Sequence, residues 1–217
     1  MEDTIERYQK AIELDPANLD NYLALRNLYT FELFDSEKAV KVLEMALPYF
    51  PNNEKLLLEI ANIYDYELQE FTRADLYYQK VLEVNPHQLL ALDALAHLNV
   101  LMFKNYAQAL DYYFQMIKID ANRVETYVNI GHLYFYQLKK KQAALKYYQL
   151  AEKLLTHQQL AKQQLGELYV NLGMIYEQHL QNKKKAISYY ELAFSKSGDQ
   201  YAEEKLKALY SAASHIH

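Results

Sequence analysis

A single spacing runs through the chain. Pro16, Pro51 and Pro86 stand 35 residues apart. Each follows a similar phrase: Ile12-Glu13-Leu14-Asp15, then Met45-Ala46-Leu47 ahead of Tyr49-Phe50, then Leu82-Glu83-Val84-Asn85. A further step reaches Ala121 after Ile117-Lys118-Ile119-Asp120, so the phrase outlasts the proline. Twelve residues ahead of these points stand Ala39, Ala74, Ala109 and Ala144, and Ala186 opens a last unit. Seventeen residues before each alanine stands a bulky residue: Tyr22, Leu57, Leu92, Tyr127 and Tyr169. Three landmarks that keep one phase over five units mark a repeat architecture.

Inside each unit the apolar residues recur at helical spacing. Tyr127, Ile130, Gly131 and Tyr134 lie at offsets 0, 3, 4 and 7, one face of a helix. After a break at Lys139-Lys140-Lys141, Ala144, Tyr148 and Ala151 share one face of a second helix. Neither helix can bury its stripe alone, whereas stacked helix pairs bury a continuous core. Four Gly and four Pro in 217 residues are too few for many short strands. The expectation is an all-α array: a half-repeat at 3–18, repeats at about 19–53, 54–88, 89–123, 124–158 and 166–198, and a capping helix at 199–214. Gly198 is the expected stop before that last helix, and its Glu203, Glu204, Lys205 and Lys207 are expected on a solvated face. The half-repeat reads either as an N-terminal cap or as the cut end of a longer array.

The pattern resembles the tetratricopeptide repeat, a helix–turn–helix unit of about 34 residues. Tyr169-x-x-Leu172-Gly173-x-x-Tyr176 followed by Ala186-x-x-x-Tyr190 carries the likeness best. Tyr127-x-x-Ile130-Gly131-x-x-Tyr134 with Ala144-x-x-x-Tyr148 is nearly as close, and Leu57-x-x-Ile60-Ala61-x-x-Tyr64 with Ala74-x-x-x-Tyr78 and Pro86 follows. The likeness covers residues 3–198. It implies a right-handed superhelical solenoid of antiparallel helix pairs. Gly131, Gly173, Ala61 and Ala96 are small where helices should cross closely, as are Ala46, Ala151 and Ala193 on the second helices. Three departures stand out. The extra residue of the 35-residue period is expected in the turn between the two helices. Arg26 replaces the small crossing residue of the first repeat, and Asn99 replaces the tyrosine of the third. Seven further residues, about Gln159 to Leu165, should lengthen the first helix of the last repeat by about two turns.

The resemblance also implies where a partner would sit. First-helix positions that face a concave groove in this family fall, by register, in three layers: Leu23, Leu58, Asp93, Val128 and Val170; Asn27, Asn62, His97, His132 and Met174; Phe31, Tyr66, Leu101, Tyr136 and Gln178. With Phe135 these are more apolar and aromatic than a solvated face requires. Asn27 and Asn62 can each offer donor and acceptor to a peptide backbone. The groove therefore reads as a seat for a peptide or amphipathic helix of a protein partner, or some of these side chains pack on neighbouring helices instead. The carboxylate clamp of chaperone-binding members is not expected. Asn27 matches one of its positions, but Leu23, Leu90 and Ala94 stand where cations are needed.

Several other functions are disfavoured. The net charge of −5 argues against binding nucleic acid. The absence of cysteine excludes disulfides, thiolate metal sites and a Cys nucleophile. There is no phosphate loop, nucleophile elbow or H-E-x-x-H, so neither catalysis nor a cofactor or metal is expected. His97 and His132, one period apart, read as groove polarity rather than a metal pair. The acidic start Met1-Glu2-Asp3-Thr4 does not look like a secretory signal. The apolar stretch Leu89–Phe103 is broken by Asp93, His97 and Asn99, so it is too short and polar to span a bilayer. A cytoplasmic location follows as the expectation. Lys139–Lys141 and Lys183–Lys185 mark corresponding turns and read as solvated, with an acidic partner as the alternative. Tyr8, Tyr78, Tyr113, Tyr148 and Tyr190 read as core; the adjacent pairs Tyr77-Tyr78 and Tyr147-Tyr148 are expected to point one ring inward and one outward. The function expected is an interaction scaffold. Its alternative is a regulatory or substrate-recruiting module of a larger enzyme, and self-association of an exposed array end is a further option.

Overall fold

A computed structural model describes residues 2–155 and 160–214. Among these residues the chain is helical throughout: α1 (Glu2–Leu14), α2 (Leu19–Asn27), α3 (Ser36–Ala46), α4 (Glu54–Asn62), α5 (Phe71–Val84), α6 (Leu89–Leu101), α7 (Tyr106–Ile119), α8 (Val124–His132), α9 (Lys141–Leu154), α10 (Lys162–Met174), α11 (Lys183–Ser197) and α12 (Gln200–Ser214). The contacts divide into two compact units, Met1–Met116 and Ile117–His217. In the first, α1 packs on α2, α2 pairs with α3 and α4 with α5, and α6 packs on α5 and meets α7 through His97 and Tyr113. In the second, α8 pairs with α9, α10 with α11, and α12 packs on α11. Asn18, Asp35, Asn53 and Asn182 cap α2, α3, α4 and α11, each accepting a bond from a backbone N–H of the first turn.

The extra residue of the period lies inside the first helix rather than in the turn after it. Leu28–Glu32, Ile63–Glu67, Leu133–Gln137 and Ile175–His179 form π-helical turns that end α2, α4, α8 and α10. Each closes with an i→i+5 bond, such as Leu68 N–H to the Ile63 carbonyl at 2.9 Å. In the third repeat Phe103 N–H reaches the Leu98 carbonyl at 3.0 Å, the same span. The next residue reverses the chain at positive φ: Phe34, Gln69, Lys104, Lys139 and Gln181, with φ of 51–55°. A wider final turn plus one left-handed residue thus absorbs the insertion in every repeat.

The alanine landmark forms the floor of the core: Ala39, Ala74, Ala109, Ala144 and Ala186 are fully buried. Gly131 and Gly173 are small for the expected reason. A Cβ on Gly131 would come within 2.4 Å of the Tyr148 ring, and one on Gly173 within 2.6 Å of Tyr190. Tyr78, Tyr113, Tyr148 and Tyr190 are buried, while Tyr8 is half-buried. The adjacent tyrosines split less than expected: both rings of Tyr77-Tyr78 are buried, whereas Tyr147 and Tyr189 are half-buried beside the buried Tyr148 and Tyr190. Tyr77 is buried beside Tyr78 because its ring stacks on Tyr64 at 5.7 Å; Tyr147 likewise stacks on Tyr134 and Tyr189 on Tyr176. Asn99 removes that partner in the third repeat and is itself buried, its Nδ2 bonding the Leu95 carbonyl at 2.8 Å. Arg26 is accommodated by an ion pair with Glu59, whose carboxyl is raised by burial against the pull of the guanidinium.

Two expectations at the C-terminal end change. The helix α10 with its π turn begins at Lys162, four residues before the position that starts α8, so it is one turn longer rather than two. Gln159 lies outside the described residues. Gly198 ends α11 at φ 74°, as expected of a left-handed stop. Lys205, however, is not on a solvated face: its Nζ stands 3.0 and 3.2 Å from the Glu177 carboxylate oxygens.

Candidate functional site

The first-helix face differs between the two units. In the first unit the expected outer layer is open. Phe31 is 65% exposed, Tyr66 72% and Leu101 63%, with Asn27, Asn62 and His97 also exposed. Leu23, Leu58 and Asp93 are half-buried. The π turns are what project Phe31 and Tyr66, since each sits within that final widened turn.

Between α4 and α6 lies a cavity of about 350 Å³. Its apolar wall is Tyr66, Phe71, Leu90, Leu98, Leu101 and Met102; its polar groups are Asn62, Asp65, Tyr78, Asp93 and His97. The Tyr78 hydroxyl shares its one proton between Asn62 Oδ1 at 2.8 Å and Asp65 Oδ2 at 3.2 Å. Burial raises the Asp65 carboxyl above its usual range, against the Tyr78 bond. Burial first, then the charges of Asp65 and Asp93, raise the Tyr66 phenol. Leu90 and Ala94, the positions that a carboxylate clamp would need to be cationic, stand in this wall. Phe71, Leu101 and Met102 continue outward into an open cleft with Phe103.

In the second unit the same face is largely filled by its own side chains. Val128 and Phe135, expected in the groove, are 3% and 8% exposed and belong to the core cluster with Tyr148, Leu172 and Tyr176. His132 is half-buried, edge-on to Tyr136 and Tyr148 at 5.8 and 5.7 Å, and burial holds its imidazole below the usual range. Tyr136 remains 46% exposed, but its hydroxyl donates to the buried Asn171 Oδ1 at 2.6 Å. Val170 and Met174 are half-buried and Gln178 is exposed. The reason is packing. Where the first unit has Thr30, Asp65 and the smaller Val100, the fourth repeat has Phe135, a large apolar ring that leaves water for the core.

Sequence reasoning passed over Asp65, Phe71, Leu90 and Met102 as site residues. One signal was available: Asp65 and Tyr78 stand 13 apart, and so do Glu177 and Tyr190, whose hydroxyl donates to Glu177 at 2.7 Å. Among the described residues, no group of three or more His, Asp or Glu could hold a metal ion, and no helix is long and apolar enough to cross a membrane.

No curated protein sequence matches the chain. Solved structures share the fold at low identity. The C-terminal part of a TPR repeat-containing protein from Cytophaga hutchinsonii is 15% identical with a TM-score of 0.75, covering 86% of this chain and 72% of its own. YrrB, described as a TPR protein with an unusual peptide-binding site, is 18% identical with a TM-score of 0.67, covering 94% and 99%. MamA from Desulfovibrio magneticus is 17% identical with a TM-score of 0.65, covering 86% and 97%. The tetratricopeptide repeat family model matches residues 54–88, 124–154 and 166–195, the three repeats in which the sequence pattern is clearest. With the repeat pattern, the helix pairs and these matches in agreement, residues 54–88, 124–154 and 166–195 are identified as tetratricopeptide repeats.

Proposed function

We propose that this protein is an interaction scaffold that captures a peptide or helix of a protein partner on the first-helix face of its first unit. The observation that carries this reading is the open ladder of Phe31, Tyr66 and Leu101, one per repeat and each more than three-fifths exposed beside a formed cavity. Large apolar side chains held out of the core at regular intervals mark partner sites. The tetratricopeptide fold is one of interaction modules, and the peptide-binding site described for YrrB supports the same use here. Leu23, Asn27, Leu58, Asn62 and His97 belong to the proposed surface. Tyr136, whose hydroxyl is engaged with Asn171, lies in the second unit with Val128, His132 and Phe135, and all four are left out.

The test is an affinity pull-down from native extract with wild type and Tyr66→Ala. The variant removes a side chain that is 72% exposed, so the fold should survive, as circular dichroism would verify. A protein recovered by the wild type and lost with the folded variant supports the groove. Equal recovery by both places the contact elsewhere and refutes the reading.

A further inference from the structure

The last repeat shows what a cation does at the position that the first unit leaves acidic. Glu177 lies in the π turn after α10 and accepts the Tyr190 hydroxyl at 2.7 Å. It also binds the Lys205 ammonium, which α12 delivers 28 residues later, at 3.0 and 3.2 Å. The Tyr201 ring lies 5.7 Å from the same ammonium. That hydrogen bond to Glu177 holds the Lys205 ammonium above its usual range.

By register, Asp65 is the counterpart of Glu177 and Tyr78 the counterpart of Tyr190. The first bond is conserved in kind, Tyr78 to Asp65 at 3.2 Å. Twenty-eight residues after Asp65, where Lys205 would stand, the chain carries Asp93. Two carboxylates therefore line one cavity, with Tyr66 as its aromatic wall. Of the lining residues only His97 can become cationic, and its Nε2 lies 3.9 Å from Asp93 Oδ1. The surroundings have the same sign: residues 1–116 hold nine Lys and Arg against nineteen Asp and Glu. Such a field favours basic partners and speeds their approach.

We propose that this cavity receives a lysine or arginine side chain of the partner, its charge between Asp65 and Asp93 and its stem along Tyr66, Leu90 and Leu101. The occupant is thus a basic segment with an apolar neighbour that engages the Phe31–Tyr66–Leu101 ladder. This rests on the groove reading above and adds the partner's chemistry to it. Charge-assisted bonds are the stronger kind, and a long stem over apolar wall adds contact area.

The experiment is selection of a phage-displayed random peptide library on the full chain, followed by anisotropy titrations of the enriched peptides. Enriched sequences should carry lysine or arginine beside an apolar residue. The variant Asp65→Asn/Asp93→Asn, which keeps an acceptor for Tyr78, should bind them about tenfold or more weakly. Replacing the peptide's lysine by norleucine should cost the wild type as much and the variant nothing further. Asp93→Lys should abolish binding by supplying the missing ammonium from within, as Lys205 does. Peptides lost with Tyr66→Ala but indifferent to the Asn and norleucine changes would overturn the cation pocket and leave the groove standing. Peptides indifferent to Tyr66→Ala, or no enrichment, would overturn both. Self-association of the chain that disappears in the Asn variant would overturn the foreign partner and make a second copy the occupant.

Discussion

Alanine at Gly131 sets two effects of opposite sign against each other. In a helix interior alanine is favoured over glycine by about 1 kcal/mol. The added Cβ, however, would stand 2.4 and 2.5 Å from Cε1 and Cδ1 of Tyr148. Carbon contacts settle near 3.5–4.0 Å, so the ring must retreat by about 1 Å. It has nowhere to go: Tyr148 is fully buried and His132 lies against it at 5.7 Å. Overpacking of this kind costs about 1–3 kcal/mol, and a rigid buried ring belongs in the upper part of that range. Gly131→Ala should therefore lose about 1–2 kcal/mol, lowering the melting temperature by roughly 2–4 °C per kcal/mol for a chain of this size. Urea denaturation followed by circular dichroism is the assay, with equal m-values required because repeat arrays can unfold in parts. In a Tyr148→Leu background the clash is gone, and the same alanine should now stabilise by about 1 kcal/mol. A Gly131→Ala protein more stable than wild type, at unchanged m, would show that close helix crossing is not what keeps glycine there.

Phe31 and Phe135 should separate surface from core: Phe135→Ala should cost about 3–5 kcal/mol in denaturant titrations, whereas Phe31→Ala should stay within about 0.5 kcal/mol. His132, whose folded pKa is depressed by burial, stays neutral while the unfolded chain takes up a proton below about pH 6.5. Its contribution is complete above that pH and is lost as pH falls through the folded pKa, so His132→Gln should flatten the acid side of the stability profile; an unchanged slope would count against it.

The sequence by itself determined the repeat, its period, the all-helical pairs and the core landmarks. These depend on side-chain size and spacing along one chain, and the alanines, the crossing glycines and the consensus tyrosines all occupy the places that spacing assigns. It also assigned Phe31, Tyr66 and Leu101 to one register position of the expected first-helix face. Which members of that face meet solvent was decided only by tertiary packing. Val128 and Leu58 hold the same register, yet one is buried and the other half-buried, because exposure depends on what the neighbouring helix presents and not on the helix's own period. The π turns were equally hidden. A 35-residue period says that one residue must be absorbed, but hydrogen bonding to a carbonyl five residues back competes with lengthening the turn on energies that no local pattern displays. The contrast between Asp65–Asp93 and Glu177–Lys205 was written in the spacing all along. It acquired meaning only when the fold set each carboxylate beside its tyrosine and showed an ammonium held in one site and a second carboxylate in the other.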